Sequence, residues 1–220
     1  VVNTATAGTQ TYTVTVTNAN NCTNTATVQV IVNDLPTAST QGSTVCLGET
    51  VTLSVNTNAN NYIWSEGSTI TNQVVNTSTA GNQVYTVTVT NANNCTNTAT
   101  AQVIVNNLPT ANIQGSTVCL NEPVTLNVNT NAINYIWSDG STTASQTVGP
   151  AIPGIQTYTV TVTNTNNCSS TATTQVIVND LPTANIQSST VCLGETVTLN
   201  VNTNATNYIW SEGSTTANQV

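Results

Sequence analysis

Six cysteines are the residues of this sequence best suited to chemistry, and they fall into two regular series. One series is Cys22, Cys95 and Cys168, and the other is Cys46, Cys119 and Cys192. Neighbours within a series are 73 residues apart (95 − 22 and 119 − 46, for example). None belongs to a CxxC pair, the spacing typical of zinc and redox sites. Regularly placed cysteines of this kind predict disulfide bonds and an oxidising, extracellular environment.

The remaining side chains offer little catalytic chemistry. The sequence has no Lys, Arg or His, so a Ser-His or Ser-Lys nucleophile system is excluded. The carboxylates that most resemble the catalytic pair of a glycosidase are Glu49 and Glu66, with counterparts Glu122/Asp139 and Glu195/Glu212. All of them lie in predicted surface turns, and we interpret them as solvated turn residues. We expect no catalytic residue, no cofactor and no enzymatic activity.

Metal binding is also weakly supported. Asp34 and Asp180 are the weak calcium candidates, because acidic residues near module junctions bind calcium in other extracellular arrays. The equivalent residue of the middle copy is Asn107, and no loop has the dense oxygen-ligand spacing of a dedicated calcium site. We therefore expect no metal site.

The charge balance restricts the partners. The net charge is −8 with no basic residue, so phosphate neutralisation, on which nucleic-acid binding depends, is not available. The same lack disfavours docking on anionic lipid. No apolar run approaches the roughly 20 residues of a membrane span. We expect neither nucleic-acid binding nor direct membrane insertion.

The 73-residue spacing extends beyond the cysteines and defines a tandem repeat. Six aromatic residues follow the same period and are the predicted core anchors: Tyr12, Tyr85, Tyr158, Trp64, Trp137 and Trp210.

Module boundaries are predicted at the Asn-Leu-Pro or Asp-Leu-Pro steps, because proline cannot continue a central strand. The predicted segments are 1–33 (the C-terminal half of a module), 34–106 and 107–179 (complete modules) and 180–220 (an N-terminal half). We interpret the chain as a window of a longer array. The alternative is a 220-residue subunit whose half-modules complete each other head to tail.

Alternation of apolar and hydroxyl side chains predicts β-strands throughout. Residues 85–90 alternate Tyr or Val with Thr, and Ala99, Ala101, Val103 and Val105 repeat the pattern after an Asn-rich turn. A first strand is expected over residues 38–45, and a weak strand near 73–76. In the next copy the stretch Gly149–Gly154 replaces that weak strand and its loop. Six or seven short strands and no substantial helix predict an all-β sandwich for each module.

The stretches VCLGETVTL, YIWSEGST and YTVTVTNANNCTNTATVQVIVNDLPTA resemble the tandem immunoglobulin-like or PKD-like repeats of giant Bacteroidota surface adhesins. The resemblance covers the whole chain. It implies immunoglobulin-like sandwiches, export by the type IX route and a cell-surface location. One departure is the hairpin turn, where the family commonly has Asn-Gly-Cys and this chain has Asn94-Cys95 preceded by a second Asn.

Three disulfide patterns preserve the repeat. Cys46–Cys168 would staple successive modules, Cys46–Cys95 and Cys119–Cys168 would lie within modules, and Cys22–Cys46 would join sequence neighbours. In the usual sandwich topology a strand of about seven residues, about 23 Å, separates the Cys46 turn from the hairpin tip, whereas a disulfide needs Cα atoms within about 7 Å. This distance disfavours the within-module pair Cys46–Cys95 and favours the Cys46–Cys168 disulfide between successive modules.

These features predict the stalk or fibre of an extracellular adhesin or surface filament. Its partners are then neighbouring copies of the same repeat, self-assembling into a filament. The alternative is a module whose loops or threonine face recognise a surface glycan. Uniform modules favour the structural interpretation, because a dedicated recognition site usually lies in one specialised module.

Overall fold

A computed structural model describes residue 2 and residues 4–220; residues 1 and 3 of the predicted segment 1–33 lie outside the described residues. The chain divides into two compact units, Val1–Leu108 and Pro109–Val220. All regular structure in the described residues is β-strand. The strands of the first unit are β1 (Gly8–Thr17), β2 (Thr23–Val32), β3 (Ala38–Thr40), β4 (Ser43–Cys46), β5 (Val51–Thr57), β6 (Asn61–Trp64), β7 (Asn72–Val75), β8 (Gly81–Thr90) and β9 (Thr96–Asn106).

The first unit contains one complete sandwich and one separate hairpin. Strands β3, β5 and β7 form a three-stranded sheet in the order β3-β5-β7, and the opposite sheet has the order β4-β9-β8-β6. All pairings are antiparallel except β4 with β9, which is parallel. Strands β1 and β2 form a two-stranded sheet of their own.

The alternating pattern of the sequence explains the core of this sandwich. In β8 Tyr85, Val87 and Val89 are buried, while the intervening threonines face the other side of the sheet. The residues of β9, beside β8 in the same sheet, and of β5, in the opposite sheet, alternate in the same way and belong to the same core cluster. Trp64 is almost completely buried, and its indole Nε1 donates a hydrogen bond to Ile70 O at 2.9 Å. The apolar faces of both sheets therefore pack on one tryptophan.

The second unit repeats this architecture. Its strands are β10 (Asn112–Ile113), β11 (Ser116–Cys119), β12 (Val124–Asn129), β13 (Asn134–Trp137), β14 (Ser145–Val148), β15 (Gly154–Thr163), β16 (Ser169–Asn179), β17 (Asn185–Ile186), β18 (Leu199–Asn202) and β19 (Asn218–Gln219). The sheets of its complete sandwich are β10-β12-β14 and β11-β16-β15-β13, and β17-β18-β19 is a third, separate sheet. Trp137 occupies the core position of Trp64.

Two expectations about single strands are corrected. The segment 38–45 is not one strand: it divides into β3 and β4, which belong to opposite sheets, so the chain crosses the sandwich near Gly42. The Gly149–Gly154 stretch does not replace the weak strand, because β14 forms immediately before it and pairs with β12. The backbone hydrogen bond at this place is also kept: Asn121 N donates to Pro150 O at 3.0 Å, as Gly48 N donates to Thr77 O at 3.0 Å in the first unit. The all-β prediction itself is confirmed.

Candidate functional site at the two ends of each module

The turn that carries Cys46 is built by its own neighbours. Glu49 Oε2 accepts a hydrogen bond from Cys46 N at 2.8 Å, and Glu49 N donates to Cys46 O at 3.1 Å. Gly48 supplies a left-handed backbone with φ 86°, which an L-residue adopts only at a cost. The same pair of bonds joins Cys119 with Glu122 and Cys192 with Glu195. Glu49 is therefore a turn-capping residue, and its carboxylate is engaged in holding the cysteine backbone.

The hairpin tip that carries the other cysteine series is held by asparagines. Asn91 Oδ1 accepts hydrogen bonds from Asn93 N and Cys95 N, both at 3.0 Å. Asn94 adopts φ 60°, a left-handed conformation that asparagine tolerates better than most residues. The tips at Asn18–Cys22 and Asn164–Cys168 repeat these bonds and this backbone. Asn94 therefore takes the left-handed position of this turn without a glycine.

Strand register places the two cysteines of a module at opposite ends. Cys46 is paired with Asn106, the last residue of β9, whereas Cys95 immediately precedes the first residue of that strand. The 11 residues of β9 separate them by about 33 Å along the strand. We call the end with residues 46–49 the turn pole and the end with residues 91–95 the tip pole, and use the same names for the equivalent residues of other modules. The register Cys119 with Asn179 gives the second module the same arrangement.

The within-module disulfides are therefore not formed. Cys95 and Cys119 carry free thiols, as do Cys22 and Cys192, so the pairings Cys46–Cys95, Cys119–Cys168 and Cys22–Cys46 are corrected. For the two within-module pairings the physical reason is the separation of the two poles, far beyond the Cα distance of about 7 Å that a disulfide allows. In the first unit the disulfide-bonded cysteine is Cys46, and in the second unit it is Cys168.

The chain enters a module at its tip pole and leaves it at its turn pole. In the first unit Asn91 Nδ2 donates to Asp34 O at 3.0 Å, and Asn97 Nδ2 donates to Pro36 O at 2.8 Å. These bonds fasten the entering segment beside the hairpin tip. At the other end Leu47 N donates to Asn106 O at 2.9 Å, which joins the cysteine turn to the departing segment. Each pole thus combines one cysteine with one chain connection.

The carboxylate side chains of the described residues are all exposed. Asp34 and Asp180 are exposed, and the described part of the chain holds no group of three or more His, Cys, Asp or Glu residues suited to a metal ion. The backbone N–H of Ser141 donates a hydrogen bond to Asp139 Oδ1 at 3.0 Å, and this bond is the main cause that lowers the pKa of the Asp139 carboxyl. Hydrogen bonds from the side chains of Ser141 and Gln146 lower this pKa further. Burial raises the pKa of the Tyr85 phenol, and the Glu66 carboxylate raises it further. Among the described residues no helix is long and apolar enough to span a membrane.

The predicted aromatic anchors separate into two groups. Those of the complete modules lie in the interior: Trp64, Tyr85 and Trp137 are buried and Tyr158 is half-buried. Those of the terminal segments, Tyr12 and Trp210, are only half-buried.

Sequence reasoning missed two residues. Thr77 is buried and donates a hydrogen bond from its hydroxyl to Glu49 O, and Gly42 lies against the Gln102 backbone. The one sequence sign of Gly42 is that glycine recurs at the equivalent position, Gly115.

The chain is an all-β protein made of tandem immunoglobulin-like sandwiches. Protein-family models give no match, and neither do curated proteins. Among solved structures it is similar to a three-domain I-band fragment of titin, I67–I69 (12% identity, 80% of this chain and 78% of that chain, TM-score 0.36). It is also similar to the insect immune protein hemolin (16% identity, 77% and 56%, TM-score 0.38) and to the two-domain fragment IG1+IG2 of DIP-gamma (11% identity, 66% and 98%, TM-score 0.35).

Proposed function

We propose that this chain is a structural segment, a stalk or fibre, of an extracellular adhesin or surface filament, and that disulfides staple its successive modules. The modules are the predicted segments 34–106 and 107–179, flanked by the half-modules 1–33 and 180–220. The observation that carries the proposal is the separation of the two cysteines of each module to opposite poles, each beside a chain connection. The resemblance to Bacteroidota surface adhesins supports the extracellular location and the type IX route.

Chain connectivity provides the reason for a staple between modules. A module ends at its turn pole, where Cys46 is paired with Asn106. The next module begins at Asn107, and by equivalence with Asp34 its entering segment lies at its own tip pole, which carries Cys168. Two cysteines are thereby brought to one junction, and Cys46–Cys168 is the proposed bond. Such a bond restricts bending at the junction and closes a long loop of the unfolded chain.

The faces of the sandwich support a structural function more than a recognition function. The shallow groove beside β3, β4 and β5, about 450 Å³, is lined by serine, threonine, glutamine and asparagine with a few aliphatic residues. Its lining contains no titratable side chain. The two complete modules have the same sheet orders and the same poles, which supports a shared structural role. Uniform modules with a linking group at each end are suited to transmitting load along a fibre.

The test is a disulfide map of the native protein combined with cysteine variants. Chymotrypsin digestion without reductant should yield a peptide pair joined through Cys46 and Cys168. Cys46→Ser or Cys168→Ser should lower the free energy of unfolding by about 2–4 kcal/mol and increase bending in small-angle X-ray scattering. The matched control is Cys95→Ser, which removes a thiol that is free in the structure. A map without the Cys46–Cys168 pair, or equal effects of Cys46→Ser and Cys95→Ser, would contradict the proposal.

A further inference from the structure

Threonines form a regular two-dimensional array on the four-stranded sheet of each complete module. In the first unit three cross-strand pairs of β8 and β9 have threonine on both strands: Thr86 with Thr100, Thr88 with Thr98 and Thr90 with Thr96. The second unit repeats the three pairs between β15 and β16, where Ser169 is the one residue that is not threonine. We call these pairs the threonine array of a module.

The array lies on the solvent side of the sheet. Val87, between two threonines of β8, is 0% exposed in the core, so these threonines project from the opposite face of the sheet. Thr98 in β9 and the equivalent Thr171 in β16 are both exposed. The array is therefore in contact with water, and the core residues beneath it hold its strands in register.

The strand geometry sets the spacing of the hydroxyl groups in two directions. Successive threonines of one strand are two residues apart, which is about 6.4–6.8 Å. Alternate pairs of an antiparallel ladder are of one kind, so the three pairs of a module share one cross-strand Cα distance of about 4.5–5.5 Å. The twist of about 20–25° between neighbouring strands enters only once, because the array is two strands wide. Water oxygens on a prism face of hexagonal ice recur in two perpendicular directions at spacings close to these.

The threonine side chain presents its hydroxyl and its methyl group in fixed positions. Branching at Cβ restricts χ1, so little rotamer entropy is lost when the face is covered. In the second unit Thr159 Oγ1 lies 3.1 Å from Thr173 Oγ1, and Thr163 Oγ1 lies 2.9 Å from Ser169 Oγ. These hydrogen bonds orient the hydroxyls further, and each hydroxyl retains capacity for water because it has one donor and two acceptor sites.

The described residues of this outer face include no charged and no aromatic side chain. The neighbours of the array are amides and aliphatic residues such as Gln102, Ile104 and Ile63. A charged group would resist the loss of its hydration shell, whereas an uncharged face releases bulk water at lower cost. Sugar rings pack their C–H faces on aromatic side chains, which lie in the core here, so a crystalline polysaccharide is the less suitable partner.

The outer face of the opposite sheet shows that composition alone does not produce the array. There Thr52 is paired with Val74, and Ser54 with Asn72. Both faces are open to solvent in the same threonine-rich module, yet only one carries uniform pairs. The strand propensity of threonine explains why it is suited to a solvent face, but not why both strands carry it at all three positions.

We propose that the threonine array of each complete module binds ice. The hydroxyl groups form hydrogen bonds with water of the lattice, and the methyl groups order the water layer between them. A solid with a two-dimensional period is matched by a surface with the same period. This function goes beyond the proposed stalk or fibre and does not depend on the staple between modules, because each array lies within one module.

The experiment measures how the 220-residue chain divides between a slowly growing ice crystal and the remaining solution. Growing ice excludes a solute that does not bind to it, so serum albumin defines the background. The wild-type chain should be enriched in the ice fraction above albumin. It should also slow the recrystallisation of ice grains in a frozen sucrose film.

Thr98→Tyr with Thr171→Tyr places a bulky ring in the middle pair of both arrays. This double variant should lose the enrichment in ice and divide as albumin does, because the ring holds the lattice away from the neighbouring hydroxyls. The matched control is Thr52→Tyr with Thr125→Tyr, the same change at exposed positions of the opposite sheet. It should divide as the wild-type chain does.

The fold of the variants is checked by urea unfolding. Tyrosine has a high strand propensity and the substituted positions are exposed, so the midpoints should stay close to that of the wild-type chain. If the array variant unfolds, Thr100→Tyr with Thr173→Tyr tests the same arrays at the neighbouring pair and should also lose the enrichment.

Three outcomes would overturn the inference. The first is a wild-type chain that divides as albumin does. The second is an equal loss in the two tyrosine double variants, since binding would not use the array. The third is a wild-type dimer in sedimentation that Thr98→Tyr with Thr171→Tyr converts to a monomer, since a second copy would then cover the face. None of them bears on the Cys46–Cys168 pair, which the disulfide map tests separately.

Discussion

Gly115→Ala tests whether the crossing between the two sheets depends on a missing side chain. The position has no left-handed backbone, so alanine is conformationally allowed there. Its Cβ would, however, lie 2.6 Å from the carbonyl oxygen of Gln175 and 3.2 Å from the hydroxyl of Thr174. Relief requires β11 to move away from β16 by several tenths of an ångström, which strains their parallel pairing.

The expected cost is about 2–3 kcal/mol, the scale of overpacking plus a weakened ladder hydrogen bond. Gly149→Ala is the matched control in the same unit, because its Cβ would meet nothing within 4 Å and its backbone is not left-handed. There alanine should be neutral or stabilising by about 0.4–1 kcal/mol, since it restricts the unfolded chain. Gly42→Ala should cost more than Gly115→Ala, because its contact would be closer, at 2.2 Å.

Native-state hydrogen exchange read by mass spectrometry gives the free energy of opening for each unit, and pepsin cleaves without basic residues. The peptides of β11 and β16 should lose protection in Gly115→Ala and keep it in Gly149→Ala. A difference between these two variants below about 0.5 kcal/mol would refute the steric argument.

Three further predictions concern other parts of the modules. Asn94→Ala should cost about 1–2 kcal/mol because alanine is strained at φ 60°, and Asn94→Gly should not; urea unfolding distinguishes them, and equal losses would refute the role of backbone strain. Leu126→Ala should cost about 2–5 kcal/mol because Leu126 is 1% exposed, whereas Leu199→Ala should cost much less because Leu199 is only half-buried; equal losses would contradict this dependence on burial. The pKa of Tyr85 is raised in the folded state, so its contribution to stability should be complete below about pH 10 and fall as the pH rises through the folded pKa. Tyr85→Phe should remove that part of an alkaline unfolding titration, and an unchanged titration would contradict the assignment.

Most of the strand architecture was readable from the sequence. The two-residue alternation fixes which side chains of a strand share a face. The structure buries Val87 between two half-buried threonines and Val103 between two exposed residues. The turns were equally readable, since glycine and asparagine stand where the backbone is left-handed. The exception is the first strand. The recurrence of Gly42 as Gly115 is the one sign in residues 38–45, and it does not reveal that β3 and β4 join different sheets, because the division depends on how closely β4 approaches β9.

Alternation alone places Val14 and Val87 on the same face of equivalent strands. The structure leaves Val14 55% exposed and Val87 0% exposed, because the sheet β3-β5-β7 covers Val87 and the segment 1–33 is predicted to be only half of a module.

By itself the sequence determined the repeat, the all-β class, the lack of a cationic or nucleophilic system and the two cysteine series, because each of these is a matter of composition or local period. The tertiary structure decided where the cysteines lie. Cys46 and Cys95 belong to one module, and the parallel register of β4 with β9 sends them to opposite poles. Register is a long-range property set by packing, since 60 residues separate Cys46 from its strand partner Asn106.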